Sequence, residues 1–204
     1  MDIEYKGANC VVIKSKNGTL VVDPTDNVKV NEVSNKDAIV LATQAEFAPK
    51  DATFIIDMPG EYEVNDISVT GIPMKRHIDP DGKNVTSYRV SVEGVRIAVL
   101  GHIEAPISDD DLEAIGVIDI AIIPVGGGGY TLDARDAASV VRQLSPKIVI
   151  PTHFADKNIQ YEVPQEEIEL FIKEMGSLHE KESDLKIKNG SMPESLTVFE
   201  LAKS

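Results

Sequence analysis

"IDIAIIPVGGGGYTLDARDAASVVRQLSPKIVIPTHF", residues 118–154, is the stretch on which the fold turns. It opens as a buried strand, "IDIAIIPVG", and passes through four consecutive glycines at 126–129. It then enters a helix, "ARDAASVVRQL", for which Asp133 is the expected N-cap. Ala137, Val140, Val141 and Leu144 fall on one face of that helix. Pro146 ends it before a second strand, "KIVIP", which delivers His153 to the loop beyond. The stretch demands helices and strands sharing one core.

Downstream the alternation continues. "PQEEIELFIKEM" is expected to be helical from Pro164, with Ile168, Phe171, Ile172 and Met175 on one stripe and Gly176 past its end. "LKIKNG" and "LTVFEL" finish the chain as strands. Immediately upstream, Ser108 caps "DDDLEAIG", whose aspartates suit the positive end of the helix dipole, and Gly116 stops it. The first half is different: "CVVIKS" and "TLVVDP" flank a hairpin turn at Asn17-Gly18, followed by strands in "AIVLAT", "TFIID", "ISVTGI", "TSYRVSV" and "VRIAVLG". Glu93-Gly94 turns the last two against each other, and Glu61 and Glu63 in "PGEYEV" share one strand face. A β-rich half followed by strand and helix alternation, in one domain over residues 1–204, is satisfied by a layered α+β sandwich: two sheets with helices packed outside.

Acidic side chains outnumber basic ones by 34 to 20, giving a net charge of −14, and no cationic cluster offsets it, so neither nucleic acid nor an anionic membrane is an expected partner. Cys10 is the single cysteine, which rules out an internal disulfide or a thiolate zinc cage; it opens the apolar strand "CVVI" and reads as a core residue. No run reaches the roughly 18 apolar residues of a membrane span, and a cytoplasmic protein is expected.

His77, His102 and His153 each follow an expected strand, where a rigid sheet presents side chains to a ligand, whereas His179 in "GSLHEKESD" reads as plain surface. The four glycines are not a phosphate loop: Tyr130, Thr131, Leu132 and Asp133 precede the helix where Lys-Ser/Thr would be needed, so the turn serves close backbone approach. No serine-nucleophile elbow is present.

The order of "DIEYKGANCVVIKSKNGTLVVDP", "VLATQAEFAP", "IDMPGEYEVNDISVTGIP", "GKN", "VEGVRIAVLG", "IDIAIIPVGGG" and "LDARDAASVVRQLSPKIVIPTHF" resembles the metallo-β-lactamase fold superfamily, and within it the metal-dependent hydrolases carrying "PGEYEV" and "IPVGG". The resemblance implies a four-layer αβ/βα sandwich with a metal site at the strand ends. It places Gln44 and Glu46 where that superfamily's motif has its first two histidines, Ala48 at its Asp and Pro49 at its last His. His102 stands at the bridging Asp, Ala8 replaces a His, and Arg76 or His77 takes the middle His, while His153 matches the late His directly. Asp23-Pro24, "PGEYEV", "GKN" and "IPVGG" are intact.

Two ions about 3.5–4 Å apart need several lone pairs and open positions for water, and Ala48 and Pro49 offer none. The leading expectation is a non-catalytic member with no cofactor, kept for binding a small molecule or for assembly with itself or a related subunit; no catalytic residue is nominated. The alternative is a hydrolase of phosphodiesters, lactones or esters with one zinc or similar divalent ion on Glu46, His102, His153 and His77.

Overall fold

The structure, a computed structural model, describes residues 1–25, 28, 30–77, 84–188 and 191–204. In chain order the first strands are β1 (Asp2–Gly7), β2 (Cys10–Ser15), β3 (Gly18–Val22), β4 (Ala38–Leu41), β5 (Phe54–Ile56), β6 (Gly60–Val64), β7 (Ile67–Lys75), β8 (Asn84–Val92) and β9 (Val95–Val99). Helix α1 (Asp109–Ile115), β10 (Ile120–Pro124), α2 (Ala134–Leu144), β11 (Ile148–Thr152), α3 (Ile168–Met175), β12 (Leu178–Glu182), β13 (Leu185–Lys186) and β14 (Thr197–Leu201) follow. One sheet has the order β13-β1-β2-β3-β4-β5 and the other β12-β14-β11-β10-β9-β8-β7-β6.

Period-2 alternation decides which side chains meet between the sheets. Val11, Ile13, Leu20, Val22, Ile39 and Leu41 face Tyr88, Val90, Ile97, Val99, Ile122 and Ile150 in one buried cluster. Each such side chain contributes about 1.5–3 kcal/mol on leaving water. The intervening residues Ala98, Ala121, Ile123 and Val149 point outward under the three helices, with Ala137, Val140, Val141 and Phe171 packed on them. Over the other sheet, Cys10, Val12, Val21 and Val40 are covered by Val28, by Val33 of a 3-10 turn (Asn31–Ser34), and by Ile159 and Tyr161. The αβ/βα sandwich is therefore present, its outer layer on this side built from a turn and loops among the described residues. Burial pushes the Cys10 thiol up, in keeping with a core residue. No helix among the described residues is long and apolar enough to cross a membrane.

The caps form as the sequence requires: Ser108 Oγ accepts from Asp111 N at 3.2 Å, Asp133 Oδ1 accepts from Asp136 N at 2.9 Å, and Gly176 closes α3 at φ 59°. Glu93 and Gly94 turn at φ 51° and 76°. The β2–β3 hairpin has its register one residue earlier than expected: Ser15 pairs with Gly18, so Lys16 and Asn17 are the loop. Helix α3 starts at Ile168, a turn later than Pro164, because the backbone of 164–166 is used elsewhere: Glu166 N donates to Gly126 O and Ala155 N to Glu166 O. The segment around His179 is strand β12, not bare surface, with His179 Nε2 2.9 Å from Glu200 Oε2. Gly82 and Lys83 of "GKN" lie outside the described residues.

Candidate functional site

Strands β4, β7, β9, β10 and β11 end along one edge, and the residues just beyond those ends converge there: Thr43 to Phe47, Arg76 and His77, His102, Tyr130, and His153. Gly101 makes one approach possible. It holds φ 64°, and a Cβ on it would stand 2.8 Å from Thr43 Cβ. The absent side chain lets the β9 end pass against the β4 end, so that His102 Nδ1 lies 2.8 Å from the Gln44 amide nitrogen. At the β7 end, Arg76 bridges to Ile103 and His77 N donates to His102 O at 2.8 Å, which seats Arg76 beside the same ring.

Beneath these loops lies a buried polar hub. Asp23 accepts from Thr43 N at 2.6 Å, from Thr43 Oγ1 at 2.7 Å and from Asn9 Nδ2, while Asn9 Oδ1 accepts from Thr152 Oγ1 at 2.7 Å. One carboxylate thus ties the loop after β4 to the end of β11. Burial pushes its pKa up to about 6, against the lowering effect of those hydrogen bonds.

His153 is held from both sides. Its backbone sits at φ 53°, and its N–H donates to Ala8 O at 2.7 Å. Gln165 Nε2 donates to Val163 O at 2.9 Å, and a carbonyl can only accept; Gln165 therefore turns Oε1 towards His153 Nδ1, 3.1 Å away. This assigns the proton to Nδ1 and leaves the Nε2 lone pair available. Gly126 permits the clamp, because a side chain there would overlap both His153 O and Gln165 Oε1. Close backbone approach is thus the role of the glycine run.

The rings of Tyr130, His153 and Phe47 lie 4.9, 5.0 and 5.5 Å from that of His102, and Tyr161 lies 5.0 Å from His153. His102 is 1% exposed and Gln44 4%. Within this packing His102 Nε2 and Gln44 Oε1 have no hydrogen-bond partner in the protein. Burial holds the His102 pKa well below its usual value, and the neighbouring His153, Arg76 and His77 push it the same way. Burial likewise lowers His153 and raises Tyr130.

Of the residues singled out in the sequence, Gln44, His102 and His153 come together at the centre. Glu46 stands at the rim, exposed, with Oε1 3.3 Å from Arg76 Nη1. Ala48 and Pro49 come after the 3-10 turn Ala45–Phe47 and carry no donor atom; His77 meets His102 through its backbone. Among the described residues no three His, Cys, Asp or Glu side chains gather as an ion cage. Sequence reasoning passed over Phe47, Tyr130, Tyr161, Gln165 and the Asn9–Asp23 hub as site elements. Tyr130 did carry a signal, standing directly after a glycine turn at a strand end; Gln165 carried none, because it reads as the first turn of a helix.

The chain belongs to the β-lactamase superfamily: the family model described as "Beta-lactamase superfamily domain" matches residues 2–153. It is 35% identical over 101 residues to a UPF0173 metal-dependent hydrolase of Pyrococcus furiosus, a match covering 47% of this chain and 44% of that protein's length. A relative of the same description from Pyrococcus horikoshii is 26% identical over 157 residues, covering 74% of this chain and 68% of that one. Among solved structures, a Thermotoga maritima protein assigned as a Zn-dependent hydrolase of the metallo-β-lactamase superfamily superposes with TM-score 0.78 at 26% identity, covering 98% of this chain and 99% of that one. The chain is therefore metal-dependent-hydrolase-like in family and fold.

Proposed function

We propose that this chain uses its strand-end site to bind a ligand and does not activate water at a pair of metal ions. The carrying observation is Arg76: a guanidinium beside the His102 and Tyr130 rings, paired at 3.3 Å with the carboxylate of Glu46 at the rim. Two divalent ions there would meet a cation, neutral imidazoles and one amide, without the carboxylates that offset paired charges. The inner space is also filled by the packed rings. The donor set does not fit a two-metal centre. The role is then binding or assembly, with a small molecule, a second copy of this chain or a related active subunit as partner.

Metal analysis of the purified protein tests this. Zinc, iron and manganese are each expected well below one equivalent. One or more tightly held equivalents, lost on His153→Ala, would overturn the reading.

A second reading has its own support. Gln165 holds His153 in the tautomer an imidazole needs to ligate, and the relatives are described as metal-dependent hydrolases. One zinc or similar divalent ion on His102, His153 and Glu46 would supply activated water for a phosphodiester, lactone or ester. Under this reading His153→Ala removes metal and turnover together.

A further inference from the structure

The rim and the buried centre of the site are joined by one short turn, Ala45–Phe47. Glu46 on that turn occupies Arg76, and Phe47 on the same turn covers His102. Arg76 itself is anchored: it bridges to Ile103, Glu104 N donates to Lys75 O at 2.8 Å, and its side chain is only 18% exposed. Its partner is the opposite. Glu46 is 54% exposed and approaches at 3.3 Å, a long contact of the kind that contributes little in water. A carboxylate or phosphate can take two guanidinium N–H groups in parallel and bind more strongly.

Behind Phe47 wait the two unpartnered atoms. With Gln44 Nε2 donating to His102 Nδ1, His102 Nε2–H is a buried donor and Gln44 Oε1 a buried acceptor. A hydroxyl group both donates and accepts, so one suitably placed hydroxyl satisfies the pair. The electrostatics select the sign of the ligand. The fixed charge beside the His102 ring is the Arg76 guanidinium, in a chain whose net charge is −14.

We propose that the site binds a small hydroxylated anion, with its carboxylate or phosphate displacing Glu46 from Arg76 and its hydroxyl reaching Gln44 and His102 as residues 45–47 swing aside. The proposal rests on the reading that no pair of metal ions occupies the site.

The test is a chemical-shift titration of chelator-treated protein with glycolate, acetate and inorganic phosphate into the millimolar range. Glycolate is expected to saturate, and to bind more tightly than acetate, which lacks the hydroxyl. If phosphate saturates more tightly than glycolate, the anionic group is a phosphate; the reverse order makes it a carboxylate, and either supports the site. Arg76→Gln should weaken binding at least about tenfold. Glu46→Gln should strengthen it by up to about fivefold, because it removes the competitor. That gain is not expected from a residue with a purely structural role, and it keeps the test informative should Arg76→Gln prove misfolded in a thermal melt. Absence of saturation in both the wild type and Glu46→Gln, or binding unchanged in a folded Arg76→Gln, overturns the proposal. Binding that appears only when metal is restored overturns the metal-free reading instead.

Discussion

Replacing Gln44 by Met and His102 by Phe together should stabilise the protein, although both side chains are buried and hydrogen-bonded to each other. Each residue brings one buried atom without a protein partner, Gln44 Oε1 and His102 Nε2. An unsatisfied buried polar atom costs about 1–3 kcal/mol, and the hydrogen bond between the two residues, 2.8 Å long, returns only about 1 kcal/mol net. The double variant removes two costs and one gain, for an expected stabilisation of about 1–5 kcal/mol. Phe fits the shape, because position 102 already stacks against Tyr130, His153 and Phe47. Either single substitution strands the other partner's hydrogen-bonding group and should destabilise by about 1 kcal/mol. Urea unfolding of the four proteins closes the cycle, and melting points should move by about 2–4 °C per kcal/mol for a chain of this size. A double variant less stable than wild type by more than about 1 kcal/mol would refute the reasoning, since it would mean that the two atoms are paired in solution.

Two further outcomes are expected at the same edge. Asp23, with a folded pKa of about 6 against an ordinary 3.8, binds its proton more tightly when folded; its contribution is fully present below the unfolded value of 3.8 and is lost as pH rises through 6. The stability of the wild type relative to Asp23→Asn should therefore fall by about 2 kcal/mol between pH 4 and 7 in urea titrations, and a pH-independent difference would count against it. Gly126→Ala drives a methyl into His153 O and Gln165 Oε1, so a loss of about 1–3 kcal/mol is expected, together with a mixture of His153 tautomers by nitrogen NMR. An unchanged melt with His153 still protonated at Nδ1 would show that the clamp is not what fixes the ring.

Much of this architecture was legible before the structure, because its signals are local. Ser108, Asp133 and Gly176 announce helix ends by their own side chains or lack of one, and the apolar runs in "CVVIKS" and "TLVVDP" announce strands buried on both faces. The positions at which the superfamily's motif would fall, Gln44, Glu46, His102 and His153 among them, lie along one strand-end edge. What stayed hidden depends on pairs remote in sequence. Gln165 orients His153 across a glycine turn, Asn9 reaches Thr152, and Arg76 takes Glu46. No periodicity encodes such contacts. The late start of α3 has the same origin: Pro164 and Glu166 look like a helix first turn, and the backbone there is spent on Gly126 and Ala155 instead.

The energetic character of the edge argues that it is kept for a ligand. Ala8, Asp23 and His153 all hold left-handed backbone, at φ 47°, 40° and 53°, and none is a glycine. Each such residue costs of order 1–3 kcal/mol and persists only where surrounding contacts over-determine it. Here those contacts are His153 N to Ala8 O, Thr43 to Asp23, and Asn9 between Asp23 and Thr152. Added to these are a carboxylate buried at the expense of a raised pKa and two unpartnered polar atoms. A chain that needed only to fold would gain by relaxing any one of them, since stabilising substitutions are readily found where function does not oppose them. Asn65, Asp66, Glu93 and Ser145 are left-handed in turns elsewhere, but near Gln44, His102 and His153 such backbone coincides with buried polar groups, a combination in keeping with the hydroxyl and anion site proposed above. If the Gln44→Met, His102→Phe variant is more stable and no longer distinguishes glycolate from acetate, the same two atoms account for both the lost stability and the binding.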